Sequence, residues 1–369
     1  MPRRWSRSSR NGNRSGSFGI FGCNEGKIGA VEATPVCLAH SVFLDMNDIP
    51  FLDKNRADQY FLNTLEVLKA ESRNPSVVME VFPNADGLLC GIREILDILR
   101  QTLPENAEIW SLDEGSAMAR KEVVLRLHAD YCTIGIFETA LLGTLAHGSG
   151  WATAARACVE AAGEIPVISF GARHVHPAVS DRMEYAALIG GCAGCATPAG
   201  AALSDQKASG TMPHALMLIY GDTVAAARAF DTHMPDAVRR VVLVDTFRDE
   251  AEESVHVARA MAGRLWGVRL DTPSELGGVT PDLVWRVRRA LDSADFDQVG
   301  IFVSGGLTPE RISEFVRLKC PIAGFGVGSA ISGASPIDFT ADIKQIDGKP
   351  IAKRGRKVGV QDNPRLKKI

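Results

Sequence analysis

The chain of 369 residues has little net charge: 41 Lys and Arg stand against 44 Asp and Glu, a balance of −3. Near-neutrality argues against general nucleic-acid binding, which draws on a surplus of cations. There is also no apolar run near the length of about 20 residues that crosses a bilayer, so no membrane partner is expected. Cysteines are sparse, eight in all, and several lie inside apolar segments. Reduced thiols are therefore expected instead of a disulfide framework, with the cytoplasm as the compartment. The opening MPRRWSRSSRNGNRSGS lacks any acid and carries five arginines in a Ser/Gly/Asn background. That composition predicts a disordered or atypical extension over residues 1–32. A nonstructural extension, a nucleic-acid-attracting arm and an Arg/Ser-rich transit peptide compete for it, and the missing apolar h-region excludes a secretory signal.

What is present is globular: 46% apolar and 23% charged residues, over a length that favours two domains. Residues 33–130 read as an α+β domain. A helix opens at Asp58 with Phe61, Leu65 and Leu68 on one face and Asp58 as its cap. Strands follow at Val77–Val81, Ile109–Leu112 and Val123–Leu127, and Leu88–Leu99 is amphipathic. Tyr131–Ala161 predicts two helices broken near His147-Gly148-Ser149-Gly150. Glu138 beside the first apolar stripe suits either helix packing or a site.

From there the strand–helix beat is steady. Strands are expected at 166–170, 194–197, 210–212, 241–245, 267–270, 300–304 and 323–326, short and apolar throughout as strands buried on both faces should be. Seven such units over residues 131–335 predict an α/β fold, an incomplete or irregular (β/α) TIM-like barrel with a flanking α+β domain. Residues 336–369 are too polar for a domain and should pack on the first one. Their AKRGRK cluster, with Lys353, Arg354 and Arg356, reads best as a solvated basic face.

Candidate site residues gather where these strands end, which is where ligands bind in parallel sheets and barrels. Gly171 lets the chain turn after one strand, and Arg173, His174 and His176 follow at once, ahead of Pro177 in the first turn of a helix. VVLVDTF puts Asp245 behind four apolar residues, where its charge needs a proton, a partner or a metal. GVRLDTPSE contributes Arg269 and Asp271. Ser304-Gly305-Gly306 and Gly326/Gly328 each precede a helix, as a phosphate cradle requires. His214, after Gly210-Thr211, sits at a helix start that favours the neutral imidazole. Cys192 and Cys195 have zinc-like spacing but no second pair, and packing of small side chains is the better reading.

Taken in order, SFGARHVHPA, GTMPHAL, VLVDTFRDE, GVRLDTPSE, SGGL and FGVGSA resemble the nicotinate phosphoribosyltransferase family of type II phosphoribosyltransferases, nearest to its shorter microbial branch. DQYFLNTLEVL and AKRGR match its flanking domain. The resemblance implies synthesis of nicotinate mononucleotide and pyrophosphate from nicotinate and 5-phosphoribosyl 1-pyrophosphate in NAD biosynthesis, with Mg2+ and with ATP as a co-substrate. It implies that Tyr60, with Asp58 nearby, stacks on a pyridine ring held by a neighbouring subunit, so that a homodimer completes each site. Phe170 would supply the other wall and Arg173 would receive the carboxylate or a phosphate. His214 would be phosphorylated by ATP, and Asp245 would hold ribose hydroxyls or Mg2+. Thr211, Arg269 and Asp271 would line the ribose and base region, and Ser304, Gly305, Gly306, Gly326 and Gly328 the 5′-phosphate. Where the family has a second basic residue, this chain has His174. Quinolinate or nicotinamide as the base, or a noncatalytic phosphometabolite-binding role, are the alternatives.

Overall fold

The computed structural model describes residues 54–369; the expected extension over 1–32 and the start of the first domain lie outside them. A six-stranded sheet is built from β1 (Ser76–Pro83), β3 (Glu108–Ser111), β5 (Leu125–Asp130), β11 (Phe339–Ile346), β12 (Lys349–Pro350) and β13 (Lys367–Lys368). Its order, β12-β11-β1-β5-β3-β13, puts β1 between β11 and β5, both antiparallel to it. The short strands β2 (Gly87–Leu88) and β4 (Ala117–Met118) pair beside it. Helices α1 (Gln59–Ala70) and α2 (Ile92–Thr102) belong to the same unit, and the buried Ile92, Ile95, Leu96 and Leu99 of α2 pack into its core. Asp58 does stand at the N-cap of α1, yet its side chain makes no cap bond; its carboxylate turns instead to the Thr139 hydroxyl.

After α3 (Tyr131–Ile134) comes α4 (Glu138–Ala162), one unbroken helix of 25 residues. The expected break at residues 147–150 does not occur, and the glycines there have another purpose. A Cβ on Gly148 would lie 2.8 Å from the Cys90 carbonyl oxygen, and one on Gly150 would lie 2.5 Å from that of Ser335. They let neighbouring backbone touch the helix. The helix serves both cores: Leu141 and Leu145 pack with the antiparallel sheet, while Trp151, Ala152, Ala155 and Cys158 pack with the second sheet.

That second sheet is parallel and comprises β6 (Val167–Ser169), β7 (Val241–Leu243), β8 (Gly267–Leu270), β9 (Gly300–Val303) and β10 (Gly324–Val327), in the order β6-β10-β9-β8-β7. Its helices are α5 (Pro177–Ile189), α6 (Pro198–Ala202), α7 (His214–Tyr220), α8 (Thr223–His233), α9 (Glu250–Ala260), α10 (Pro281–Asp292), α11 (Pro309–Arg317) and α12 (Ser329–Ser332). Left-handed Gly221 divides α7 from α8.

Five of the seven expected strands form. Of residues 194–197 only Gly194 bridges to Ile168, because the buried Glu184 carboxylate takes the backbone N–H groups of Ala196 and Thr197 that a ladder would use. The same carboxylate accepts the Ser169 hydroxyl at 2.9 Å, so it ties the end of β6 to that segment. Residues 210–212 are also not a strand; Pro213 follows with no N–H to give, and Thr211 is engaged by the Arg269 side chain. The molecule thus has an α/β architecture, a parallel sheet beside a flanking antiparallel one.

Candidate active site

Three consecutive parallel strands, β8, β9 and β10, deliver polar groups to one place. At the end of β8, Arg269 donates to the Thr211 hydroxyl and stands 3.9 Å from Asp271. Its guanidinium also sits over the Phe170 ring, 5.6 Å from the centroid. Burial pulls the Arg269 guanidinium down from its ordinary range, Asp271 and Asp245 hold it up, and Arg173 adds to the depression. Its Nε is buried with no hydrogen-bond partner among the described residues, a donor that remains to be used. Asp271 in turn accepts the Ser304 hydroxyl at 2.9 Å.

The glycines next to these groups are required by conformation or contact. Gly305 and Gly306 have φ of +87° and +58°, the left-handed region that an L side chain resists. A Cβ on Gly326 would fall 2.2 Å from the Phe170 ring, and one on Gly328 would fall 2.7 Å from the His174 ring. The two rings therefore stand where side chains on Gly326 and Gly328 would otherwise be, close against the backbone at the end of β10.

A cleft of about 440 Å³ results. Phe170, Arg173 and His174 line it on one side, Thr211 and Arg269 on another, and Asp271, Ser304, Gly305, Gly306, Gly326 and Gly328 at the strand ends. So eleven of the residues singled out in the sequence meet in one hollow.

His214 and Asp245 are not among the residues lining that cleft; they form a pair of their own, with the imidazole Nε2 3.0 Å from one carboxylate oxygen and 3.1 Å from the other. Asp245 is buried and His214 half-exposed. Burial pushes the Asp245 carboxyl up, and the His214 hydrogen bond pulls it back down. With Nε2 committed to the carboxylate, Nδ1 is the ring nitrogen left for other chemistry.

Asp58, Tyr60 and Glu138 do not line this cleft; they gather on the flanking unit. Thr139 joins α1 to α4 there: its hydroxyl donates to the Asp58 carboxylate at 3.0 Å and accepts from the Asp58 N–H at 3.0 Å. Tyr60 is 59% exposed. The Glu138 carboxyl is pushed up to about 7 by burial, then by Asp342 and Asp58.

Sequence reasoning missed Glu184, Thr139 and Ser332, whose hydroxyl lies 3.3 Å from His174 Nδ1. Only Glu184 left a signal, an acid inside the apolar run Met183–Ile189. No group of three or more His, Cys, Asp or Glu side chains that could hold a metal exists among the described residues, so the protein alone supplies at most two carboxylates. Cys192 and Cys195 are buried, and burial pushes the Cys195 thiol up to about 12.

The basic-and-acidic cleft thus lies at the parallel strand ends, the place where such sheets bind ligands. The chain belongs to the quinolinate and nicotinate phosphoribosyltransferase family: the models of the quinolinate phosphoribosyl transferase N-terminal and C-terminal domains match residues 58–149 and 151–342. It is 30% identical over 247 residues to a nicotinate phosphoribosyltransferase of Mycobacterium tuberculosis, covering 65% of this chain and 52% of that one. A nicotinate phosphoribosyltransferase of Bacillus subtilis is 27% identical over 60% of this chain and 45% of its own length. The chain thus spans about half the length of the curated relatives it matches. Among solved structures, nicotinate-nucleotide pyrophosphorylase from Pyrococcus furiosus is 42% identical with a TM-score of 0.78, over 84% of this chain and 79% of that one. Human nicotinic acid phosphoribosyltransferase, at 17% identity and a TM-score of 0.64 over 81% of this chain and 76% of its own, shares the fold.

Proposed function

We propose that this protein transfers a phosphoribosyl group from 5-phosphoribosyl 1-pyrophosphate to nicotinate, a step of NAD biosynthesis in the cytoplasm. The observation that carries the reading is the cleft itself: two glycine turns for a phosphate, the Asp271 carboxylate beside them, and guanidinium groups around an aromatic wall. In the same reading the parallel sheet is the larger part of an incomplete (β/α) barrel.

The reaction asks for little proton chemistry. The pyridine nitrogen attacks C1 of the ribose with its lone pair, the C1–O bond breaks, and the electrons leave with pyrophosphate. Alignment of the nitrogen and charge placement supply the acceleration. Phe170 gives the ring a face to lie on, and Arg173 meets its carboxylate. Asp271, held by Ser304, stands where positive charge grows on the sugar. Two carboxylates fit Mg2+ that arrives on the substrate's phosphates better than a resident ion, since Mg2+ takes one or two protein oxygens in such sites. Asp245 is the residue that would offer one, and the ion would neutralise the departing pyrophosphate.

The base is assigned by counting cations. Arg173, His174 and Arg269 are the basic residues of the cleft, and Arg269 is already engaged with Thr211 and Asp271. That leaves Arg173 as the cleft guanidinium without an ion pair or hydrogen bond among the described residues, which suits a base with one carboxylate such as nicotinate. Quinolinate, named in the matching family models, has a second carboxylate and would call for another cation. Nicotinamide would leave Arg173 without its anion.

The His214–Asp245 pair supports ATP coupling. Asp245 accepts the Nε2 proton, so Nδ1 keeps its lone pair for attack on the γ-phosphorus, with ADP leaving. Tyr60, exposed and absent from the lining of its own cleft, is read as the opposite aromatic wall for a second copy, with Asp58 and Glu138 beside it.

The test is mononucleotide formation from 5-phosphoribosyl 1-pyrophosphate and Mg2+ with each pyridine base, with and without ATP. Nicotinate is expected to be the base used, and His214→Ala to lose the ATP stimulation while keeping basal turnover. Unchanged stimulation in that variant removes the phosphohistidine role; turnover of quinolinate alone reverses the base assignment.

A further inference from the structure

The fully buried Glu184 carboxylate of α5 is met only by neutral donors among the described residues. Its Oε1 accepts the Ser169 hydroxyl at 2.9 Å; its Oε2 accepts the N–H of Ala196 and, at 3.3 Å, that of Thr197. The Cys195 thiol also bonds to it. A buried carboxylate needs donors on both oxygens, and here the two oxygens face different segments. From each, a short chain of contacts runs to the aromatic side of the cleft. On the Oε1 side, Ser169 precedes Phe170, and its hydroxyl accepts the Gly171 N–H at 3.5 Å, so it brackets the residue that carries the ring. On the Oε2 side, the Cys195 carbonyl accepts the Ser209 N–H at 2.8 Å. Two residues further on, the Thr211 hydroxyl takes the Arg269 guanidinium, and Ala196, Ser209, Gly210 and Thr211 all line the cleft. The two chains end on the two groups that stack, for Arg269 stands over the Phe170 ring. Glu184 itself does not line the cleft.

We propose that Glu184 is a positioning residue for the base: its carboxylate sets the spacing between the Phe170 ring and the Arg269 guanidinium, and so the slot in which the pyridine ring lies. This deepens the phosphoribosyl reading above and rests on it. Pairing with β6 stops at Gly194, whose carbonyl takes the Ser169 N–H at 2.9 Å; beyond that point Glu184 is what the seam has in place of a ladder. Hydrogen bonds to an ionised acceptor are shorter and stronger than those between neutral groups, which lets one side chain hold what several ladder bonds would. The turn that would take the phosphate has its own support, since Asp271 holds Ser304 directly. Loss of Glu184 therefore acts on the base and spares the sugar phosphate.

Initial rates of the purified full-length protein test this, with 5-phosphoribosyl 1-pyrophosphate and the pyridine base it uses each varied against a saturating amount of the other. Glu184→Met keeps the length of the side chain but offers no acceptor to Ala196 and Thr197. Its KM for the base should rise about tenfold, while the KM for 5-phosphoribosyl 1-pyrophosphate stays within about twofold of the wild type's. Glu184→Gln can turn its one oxygen to both N–H groups and its amide to Ser169, so it should bring the base KM back to the wild-type value. In a Thr211→Val background, where the link to Arg269 is already cut, Glu184→Met should add only about threefold or less. A merely structural role would raise both KM values together and add the same factor in either background; that result, or an unchanged base KM, overturns the assignment. If Glu184→Met does not fold, Ser169→Ala cuts only the contact with β6. It should raise the base KM about threefold and leave the other KM unmoved; no rise in the base KM overturns the assignment equally. A wild type that turns over no pyridine base removes the phosphoribosyl reading, and this inference with it.

Discussion

Glu138 shows how a single side chain carries information beyond its own contacts. Its carboxyl is raised from 4.5 to about 7 by burial and by the carboxylates of Asp342 and Asp58. Between those two values the folded protein holds a proton that the unfolded chain has shed, so stability falls as pH rises through that window and is level above it. Solvent reaches the group, so the whole effect should be about 1–2 kcal/mol. Glu138→Gln removes the repulsion, and its stability should exceed the wild type's at about pH 8 and match it at about pH 4, read from urea midpoints. A difference that does not vary with pH would contradict the shift.

At the scale of one element, α4 separates two kinds of glycine. Gly143 meets nothing within 4 Å where a Cβ would go, whereas a Cβ on Gly150 meets the Ser335 backbone at 2.5 Å. Gly143→Ala should therefore stabilise by up to about 1 kcal/mol through helix propensity. Gly150→Ala should cost about 2 kcal/mol through overpacking; equal effects in thermal melts would mean that propensity alone rules this helix. The same contrast explains what the sequence made legible. Strand ends such as VVLVD and GVRLD announce themselves locally, since an apolar run followed by an acid needs no distant partner, and Asp245 and Asp271 were found that way. The sequence predicts a break in the helix over 138–162 because a glycine that admits a neighbour and a glycine that ends a helix look alike without the neighbour. Residues 194–197 were read as a strand because nothing nearby tells that Glu184 will take the N–H groups of Ala196 and Thr197. Thr139 and Ser332 gave no signal, for a lone hydroxyl acquires its role only from what it faces. Tyr60 takes a role only from the resemblance, since nothing in the sequence around it points to a site.

For the molecule as a whole, the separation of Tyr60 from the cleft makes an assembly testable. If each cleft borrows Tyr60 from a second copy, mixing inactive Tyr60→Ala and inactive Arg173→Ala chains, then unfolding and refolding them together, gives hybrids with one intact site. About a quarter of wild-type activity should return by statistical pairing in a twofold dimer; no recovery would show that the two residues act within one chain. The flanking sheet has a different consequence. Its central strand β1 finds one neighbour soon, in β5, but the other, β11, starts only at Phe339, after every strand of the parallel sheet. On the ribosome, then, the unit begun first is finished last. Throughout synthesis of the parallel-sheet half, β1 travels with one flank bare, open to any stray strand or chaperone that reaches it before its own partner does.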